Sequence, residues 1–181
     1  MDVILVKDNF LTILSYINDK DKMNFLSTKK DFCKLKDSIY YKSKINYEKV
    51  KNLWYANKFT NLILDEKIIL KGVTRLTFGF KFNQDIKYCI SSLVTHLTFG
   101  YKFNQNIKDC IPQSVTHLTF GYKFNQDIKD CIPQSVTHLT FGCWFDQDIK
   151  DCIPPSVMFL NLDNNYSKEV PINENLKITK S

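Results

Sequence analysis

The chain has 181 residues, 44% of them apolar and 14% aromatic, with five glycines and five prolines. That excludes a disordered chain, which lacks the apolar surface to offset chain entropy, and leaves room for one large domain or two small ones. The formal charge is +6, and residues 1–72, with 14 lysines against 9 acids, hold +5 of it. A single arginine, Arg75, and lysines interspersed among acids argue against a nucleic-acid footprint.

The opening stretch, MDVILVKDNFLTILSYI, is rich in apolar side chains, but Lys7 and Asp8 interrupt it and no small-residue cleavage site succeeds it. It does not read as a secretory signal, and no segment nears the ~20 apolar residues of a membrane span. These features predict a cytoplasmic chain with no membrane partner. Phe10, Ile13, Leu14 and Ile17 are spaced i, i+3, i+4, i+7, the apolar stripe of an amphipathic helix. NDKD at Asn18–Asp21 breaks it, with Asp21 placed to cap the next helix. Met23, Phe25 and Leu26 then lead through STKKDFCKLKDSIYYKSKI, read as a second and a third helical stretch. Alone, this is a small helical cap over the open N-terminal end of a larger unit.

The same segment, LVKDNFLTILSYINDKDKMNFLSTKKDF, resembles an F-box. Leu5, Asp8, Phe10, Ile13, Leu14, Ser15, Tyr16, Ile17 and Asp21 fall in register, while Val6, Asn9 and Lys22 depart from the pattern. The resemblance implies an F-box-like helical domain over residues 1–49. It implies a Skp-type adaptor of a cullin-RING ubiquitin ligase as partner, bound through Leu5, Val6, Phe10, Ile13, Leu14 and Ile17.

Residues 50–72 read as a linker with a worn copy of a longer repeat, since VKNLWYANKF from Val50 matches the spacing of VTRLTFGFKF from Val73. Four copies then align without gaps: Val73–Leu93, Val94–Ser114, Val115–Ser135 and Val136–Ser156, with a partial fifth from Val157. Self-similarity at a fixed period marks a solenoid, and worn copies mark its ends. Within each copy VTHLTF alternates and predicts a short strand. Gly79, Gly100, Gly121 and Gly142 are expected to leave it through a positive φ. Stacking like on like predicts buried files Leu76/Leu97/Leu118/Leu139, Phe78/Phe99/Phe120/Phe141, Phe82/Phe103/Phe124/Phe145 and Ile86/Ile107/Ile128/Ile149. The pairs Asn83-Gln84, Asn104-Gln105 and Asn125-Gln126, with Asp146 departing, are expected to satisfy backbone groups in the turns. Residues 163–181 are expected to form a polar C-terminal cap or tail.

The recurring skeleton FN…I…IP…SV..L closely resembles the FNIP repeat, a relative of the leucine-rich repeat, over about half of the chain. The resemblance implies a curved, parallel-stranded solenoid with strands on its concave face, and protein recognition as its function. The expected architecture is therefore α+β, a helical F-box-like domain and then a short leucine-rich-repeat-like solenoid of 21-residue repeats. It would act as a substrate receptor holding a target protein for a ubiquitin ligase, or as a stand-alone FNIP repeat binding module with a helical cap. The target-binding face is read as Arg75, His96, His117 and His138, with Thr98, Thr119 and Thr140. Beyond the glycines come the aromatics Phe80, Tyr101, Tyr122 and Trp144, of the kinds favoured at interface hot spots. A straight file of histidines gives a line rather than a tetrahedral metal site. Cys89, Cys110, Cys131 and Cys152 fit buried packing in a reducing compartment. No nucleophile–base pair and no phosphate-cradling glycine loop is visible, so no catalytic residue, metal or cofactor is expected.

Overall fold

A three-residue strand has no stability alone; its hydrogen bonds and buried face must come from neighbours. The computed structural model describes residues 14, 16–28, 35–36, 39–53, 55–170 and 175–181, and it supplies those neighbours by stacking. One sheet of eight parallel strands runs in chain order. The strands are β1 Ile45–Asn46, β2 Asn61–Leu64, β3 Arg75–Phe78 and β4 His96–Thr98, then β5 His117–Thr119, β6 His138–Thr140, β7 Phe159–Leu162 and β8 Lys177–Lys180. From β3 to β6 identical letters pair: Leu76 with Leu97, Leu97 with Leu118, Leu118 with Leu139. Because side chains alternate along a strand, each leucine points in and the flanking His and Thr point out.

The inner side carries the expected files. Phe78, Phe99, Phe120 and Phe141 stack at 5.3–5.4 Å between ring centroids. Phe103, Phe124 and Phe145 interleave, each 3.8–4.0 Å from the phenylalanine four residues earlier. All of these rings are buried, as are Ile86, Ile107, Ile128 and Ile149. Burial of one such ring is worth about 2–3 kcal/mol. In the coil after β7 the file ends on Tyr166, whose hydroxyl donates to the carbonyl of Gln147 at 2.9 Å.

The amide file behaves as structure. Asn83 Oδ1 accepts from the Asn104 backbone N at 2.9 Å and from Gln105 Nε2 at 3.0 Å, and Asn104 and Asn125 repeat the arrangement one coil on. At Asp146 the next coil offers Lys168 instead of Gln, with Nζ 3.5 Å from the carboxylate, so an ion pair replaces the amide pair.

The glycines act differently from expectation. Gly79, Gly100, Gly121 and Gly142 lack a positive φ. They are required because successive coils touch there: a Cβ on Gly121 would lie 2.1 Å from the carbonyl oxygen of Gly100. The left-handed backbone falls on Tyr88, Asp109, Asp130 and Asp151, with φ of 57–63°. Each precedes a cysteine whose N–H closes a turn, as Cys131 N does onto Ile128 O at 3.0 Å. Aspartate tolerates this region better than most residues.

The ends are not copies. Leu62 pairs with Leu76, only 14 residues on, so the strand before β3 is Asn61–Leu64 and not the worn copy read from Val50. The latter segment closes on itself through local bonds, Val50 N to Tyr47 O and Ala56 N to Leu53 O, leaving little for a ladder. Its Val50, Tyr55 and Phe59 fill the end of the core instead. Residues 39–45, read as the close of a third helical stretch, are not helical: Tyr41 bridges to Phe59 and stacks on its ring at 4.6 Å, and Ile45 opens β1. Pairing with a neighbouring coil here overrides local propensity.

The helix described in full is α1, Asp19–Phe25. Its cap is Asn18, which accepts from Asp21 N at 2.9 Å, rather than Asp21 itself. Asp19 ties α1 to the first coil by accepting from Ser43 N, and within α1 it accepts from Lys22 Nζ. Burial pushes its carboxyl up, but those bonds outweigh burial and hold it below the ordinary value. Of the F-box-register residues, Leu5, Val6, Phe10 and Ile13 lie outside the described residues, Leu14 is buried and Ile17 half-buried. Among the described residues no helix is long and apolar enough to cross a membrane.

Candidate functional site

The open side of the sheet presents two files. In the first, His96, His117 and His138 stack face to face at 4.1 Å, Phe159 continues the stack at 4.5 Å, and Arg75 pairs with His96 at the other end. In the second, Thr77, Thr98, Thr119 and Thr140 stand in register, with Asn161 after them. Both files are half-buried apart from exposed Arg75 and Phe159. Burial first, then the neighbouring histidines and Arg75, hold His96 and His117 below their ordinary value. A groove of about 260 Å³ opens over the β2–β5 end of this face, lined by Lys44, Asn61, Arg75, His96 and His117 together with the threonines.

A third file lies just past the strands. Phe80 stacks on Tyr101 at 4.7 Å and Tyr101 on Tyr122 at 4.8 Å, and Trp144 meets Tyr122 at 5.9 Å with a 52° tilt. Cys143 occupies the row's own position in the fourth copy, and Trp144 comes one residue later. Phe80 is 58% exposed and Trp144 51%, so the ridge is open to a partner. Lys123 lies 4.8 Å over the Trp144 ring. Every residue read from the sequence as the target-binding face therefore falls on one of these three files.

Other chemistry is not gathered. Among the described residues no three His, Cys, Asp or Glu side chains come together as metal ligands do. Cys89, Cys110, Cys131 and Cys152 are free thiols that donate to the backbone carbonyls of Ile86, Lys108, Lys129 and Lys150. Burial pushes Cys89 up to about 11, away from the reactive thiolate.

Sequence reasoning missed Lys44, Asn61 and Phe159 as parts of the open face. Lys44 and Asn61 come from coils of other lengths, invisible to a 21-residue alignment. Phe159 was legible, since VMFLNL places it where the earlier copies have histidine. Thr95, Thr116 and Thr137 were also passed over, although each hydroxyl lies 2.9 Å from Nδ1 of the histidine after it.

The FNIP Repeat family model matches residues 82–123, 103–144 and 124–165. A solved structure described as CroV588, a novel circular LRR protein structure, superposes with a TM-score of 0.58 at 34% sequence identity. The match covers 77% of this chain and 22% of that one, so this chain spans about a fifth of that protein's length. No curated protein matches the chain significantly. Residues 82–165 are thus FNIP repeats, built into a parallel-stranded solenoid of the leucine-rich-repeat type.

Proposed function

We propose that the chain is a protein-binding scaffold whose open sheet face and aromatic ridge hold a partner, with no chemistry of its own. The observation that carries this is the exposure of Phe80, Tyr122 and Trp144 in one ridge beside the half-buried His and Thr files. Aromatic side chains already ordered by stacking bring contact area with little further loss of freedom, which is what interface hot spots need. Selection from a displayed peptide library tests it. Ligands retained by the chain are expected to be lost on Tyr122→Ala with Trp144→Ala, and kept on Lys129→Ala on the far side. Equal retention by both variants would sink the reading.

The finer reading rests on residues 5–21 and their F-box register. On it, the N-terminal segment engages a Skp-type adaptor and the solenoid positions a target protein beside a ubiquitin ligase, so that catalysis lies in partner enzymes and proximity is this chain's contribution. The alternative, a stand-alone binding module with a helical cap, is supported by two placements. Leu14 is 2% exposed, and Met23 of α1 packs on the solenoid core. Co-purification with a Skp-type adaptor separates the two. Association that is lost on Ile17→Asp, with the circular dichroism of the sheet unchanged, supports the receptor; no association supports the module.

A further inference from the structure

The histidine file has a fixed hydrogen-bonding polarity. The carbonyl of Thr74 accepts from Thr95 N at 2.9 Å and His96 N at 3.2 Å; that of Thr95 accepts from Thr116 N at 2.9 Å and His117 N at 3.1 Å; that of Thr116 accepts from Thr137 N at 2.9 Å and His138 N at 3.1 Å. The hydroxyls of Thr95, Thr116 and Thr137 donate to these same carbonyls at 3.1–3.2 Å and lie 2.9 Å from Nδ1 of the next histidine. With its one hydrogen on the carbonyl, each hydroxyl oxygen accepts from Nδ1–H, so Nε2 of the neutral ring is the bare nitrogen that takes the second proton. No described group of the protein bonds those three Nε2 atoms.

Cations flank the histidine file, and no carboxylate lines the groove over it. Lys44 and Arg75 line the groove at the β2–β5 end, and neither has an ion-pair partner among the described residues. At the other end stand Phe159 and, beyond it in register, Lys177. A file of protonatable rings between cations complements a ligand rich in acceptors and negative charge.

Resting on the reading of this face as protein-binding, we propose that it receives an extended acidic peptide segment of the partner. Lys44 and Arg75 pair with its carboxylates, and His96, His117 and His138, once protonated, donate from Nε2 to its carboxylate and carbonyl oxygens. Four strands at ~4.8 Å spacing put about 14 Å between Arg75 and His138, the reach of about five extended residues. A nucleic acid fits less well. Its bases need free ring faces to stack upon, and the faces of Tyr101, His117 and their neighbours are covered by one another.

Acid strengthens the contact without moving a side chain. The second proton enters at Nε2, on the open edge of each ring, while Nδ1–H stays on the threonine oxygen and the hydroxyl on its carbonyl. Bound carboxylates favour the charged rings, so by linkage the charged rings favour the bound carboxylates.

Fluorescence anisotropy on the full chain tests this with three labelled peptides, (Glu-Thr)5, (Gln-Thr)5 and (Lys-Thr)5, and a ten-nucleotide oligo-dT. The expected result is binding of (Glu-Thr)5 above the others. It should weaken with salt and on Arg75→Ala or Lys44→Ala, and tighten about three- to tenfold between pH 7.5 and 5.5. His96→Gln with His117→Gln should flatten the pH response. Nitrogen-15 shifts should report protonated Nδ1 and bare Nε2 at pH 7.5. The inference is overturned if (Gln-Thr)5 or (Lys-Thr)5 binds as tightly, if oligo-dT binds better, if the pH response survives both glutamines, or if the rings hold the other tautomer. Library-selected ligands that need Tyr122 and Trp144 but are neutral or basic would sink the acidic partner and leave the scaffold standing.

Discussion

Gly121 and Asp130 show how one repeated letter can hide two different constraints. At Gly121 the constraint is space. Alanine there would drive Cβ to 2.1 Å from backbone of the preceding coil, which cannot yield without parting two strands. Gly121→Ala is expected to lose more than about 3 kcal/mol, read as a fall in melting temperature of about 6–12 °C. Gly72, with φ of +80° and its nearest neighbour at 3.4 Å, should lose about 1–2 kcal/mol as alanine, the ordinary left-handed penalty. At Asp130 the constraint is conformation, and its equivalent in the first copy is Tyr88, at φ 63° and 80% exposed. Tyr88→Asn is expected to stabilise by about 0.5–1 kcal/mol in the same melt, because asparagine enters the left-handed region more readily than a bulky ring. The glycine was legible as obligatory from its recurrence. Why it was obligatory was not, because close approach between coils is a property of the stack and not of any one copy.

A coil is the element here, and its two contributions are separable by substitution. Phe120 lies between Phe99 and Phe141 in its own file and 3.9 Å from Phe124. Phe120→Ala is expected to cost about 3–5 kcal/mol in urea unfolding, since no neighbour can close the cavity without breaking register. On the turn side, Asn104 Oδ1 satisfies Asn125 N and Gln126 Nε2 together. Asn104→Ala should cost about 1–3 kcal/mol by orphaning a backbone donor, and Asn104→Asp, which keeps an acceptor oxygen there, should recover most of it. These files were readable because identical residues at a constant interval must stack if the period is structural. The end coils were not, because pairing at 14, 17 or 18 residues leaves no shared spacing to align. Tyr41 illustrates the difference: its neighbours Ile39 and Tyr40 fit a helix as well as a strand, and only the distant Phe59 decides between them.

In a solenoid each coil meets only its neighbours, so stability is a local sum and different parts of one molecule can answer acid at different pH. His96 and His117 sit in the middle of the stack and are held below their ordinary value of 6.5 by burial first, then by the next histidine along the file and by Arg75. The unfolded chain therefore takes up protons first as pH falls. Stability from keeping these rings neutral is complete above pH 6.5, erodes below it, and is gone once pH passes the folded values. Asp19 at the N-terminal end is also held low, below 3.8, so its contribution survives that first step and is lost only as pH falls through its folded value. Hydrogen exchange should resolve two stages. Amides of β4 and β5 begin to lose protection as pH falls below 6.5, while Ser43 and the α1 amides keep theirs until below about pH 4. His96→Gln with His117→Gln should remove the first stage and leave the second, and Asp19→Asn should do the reverse. A single transition in which both regions open together would show that the stack is too cooperative for its ends and centre to titrate apart.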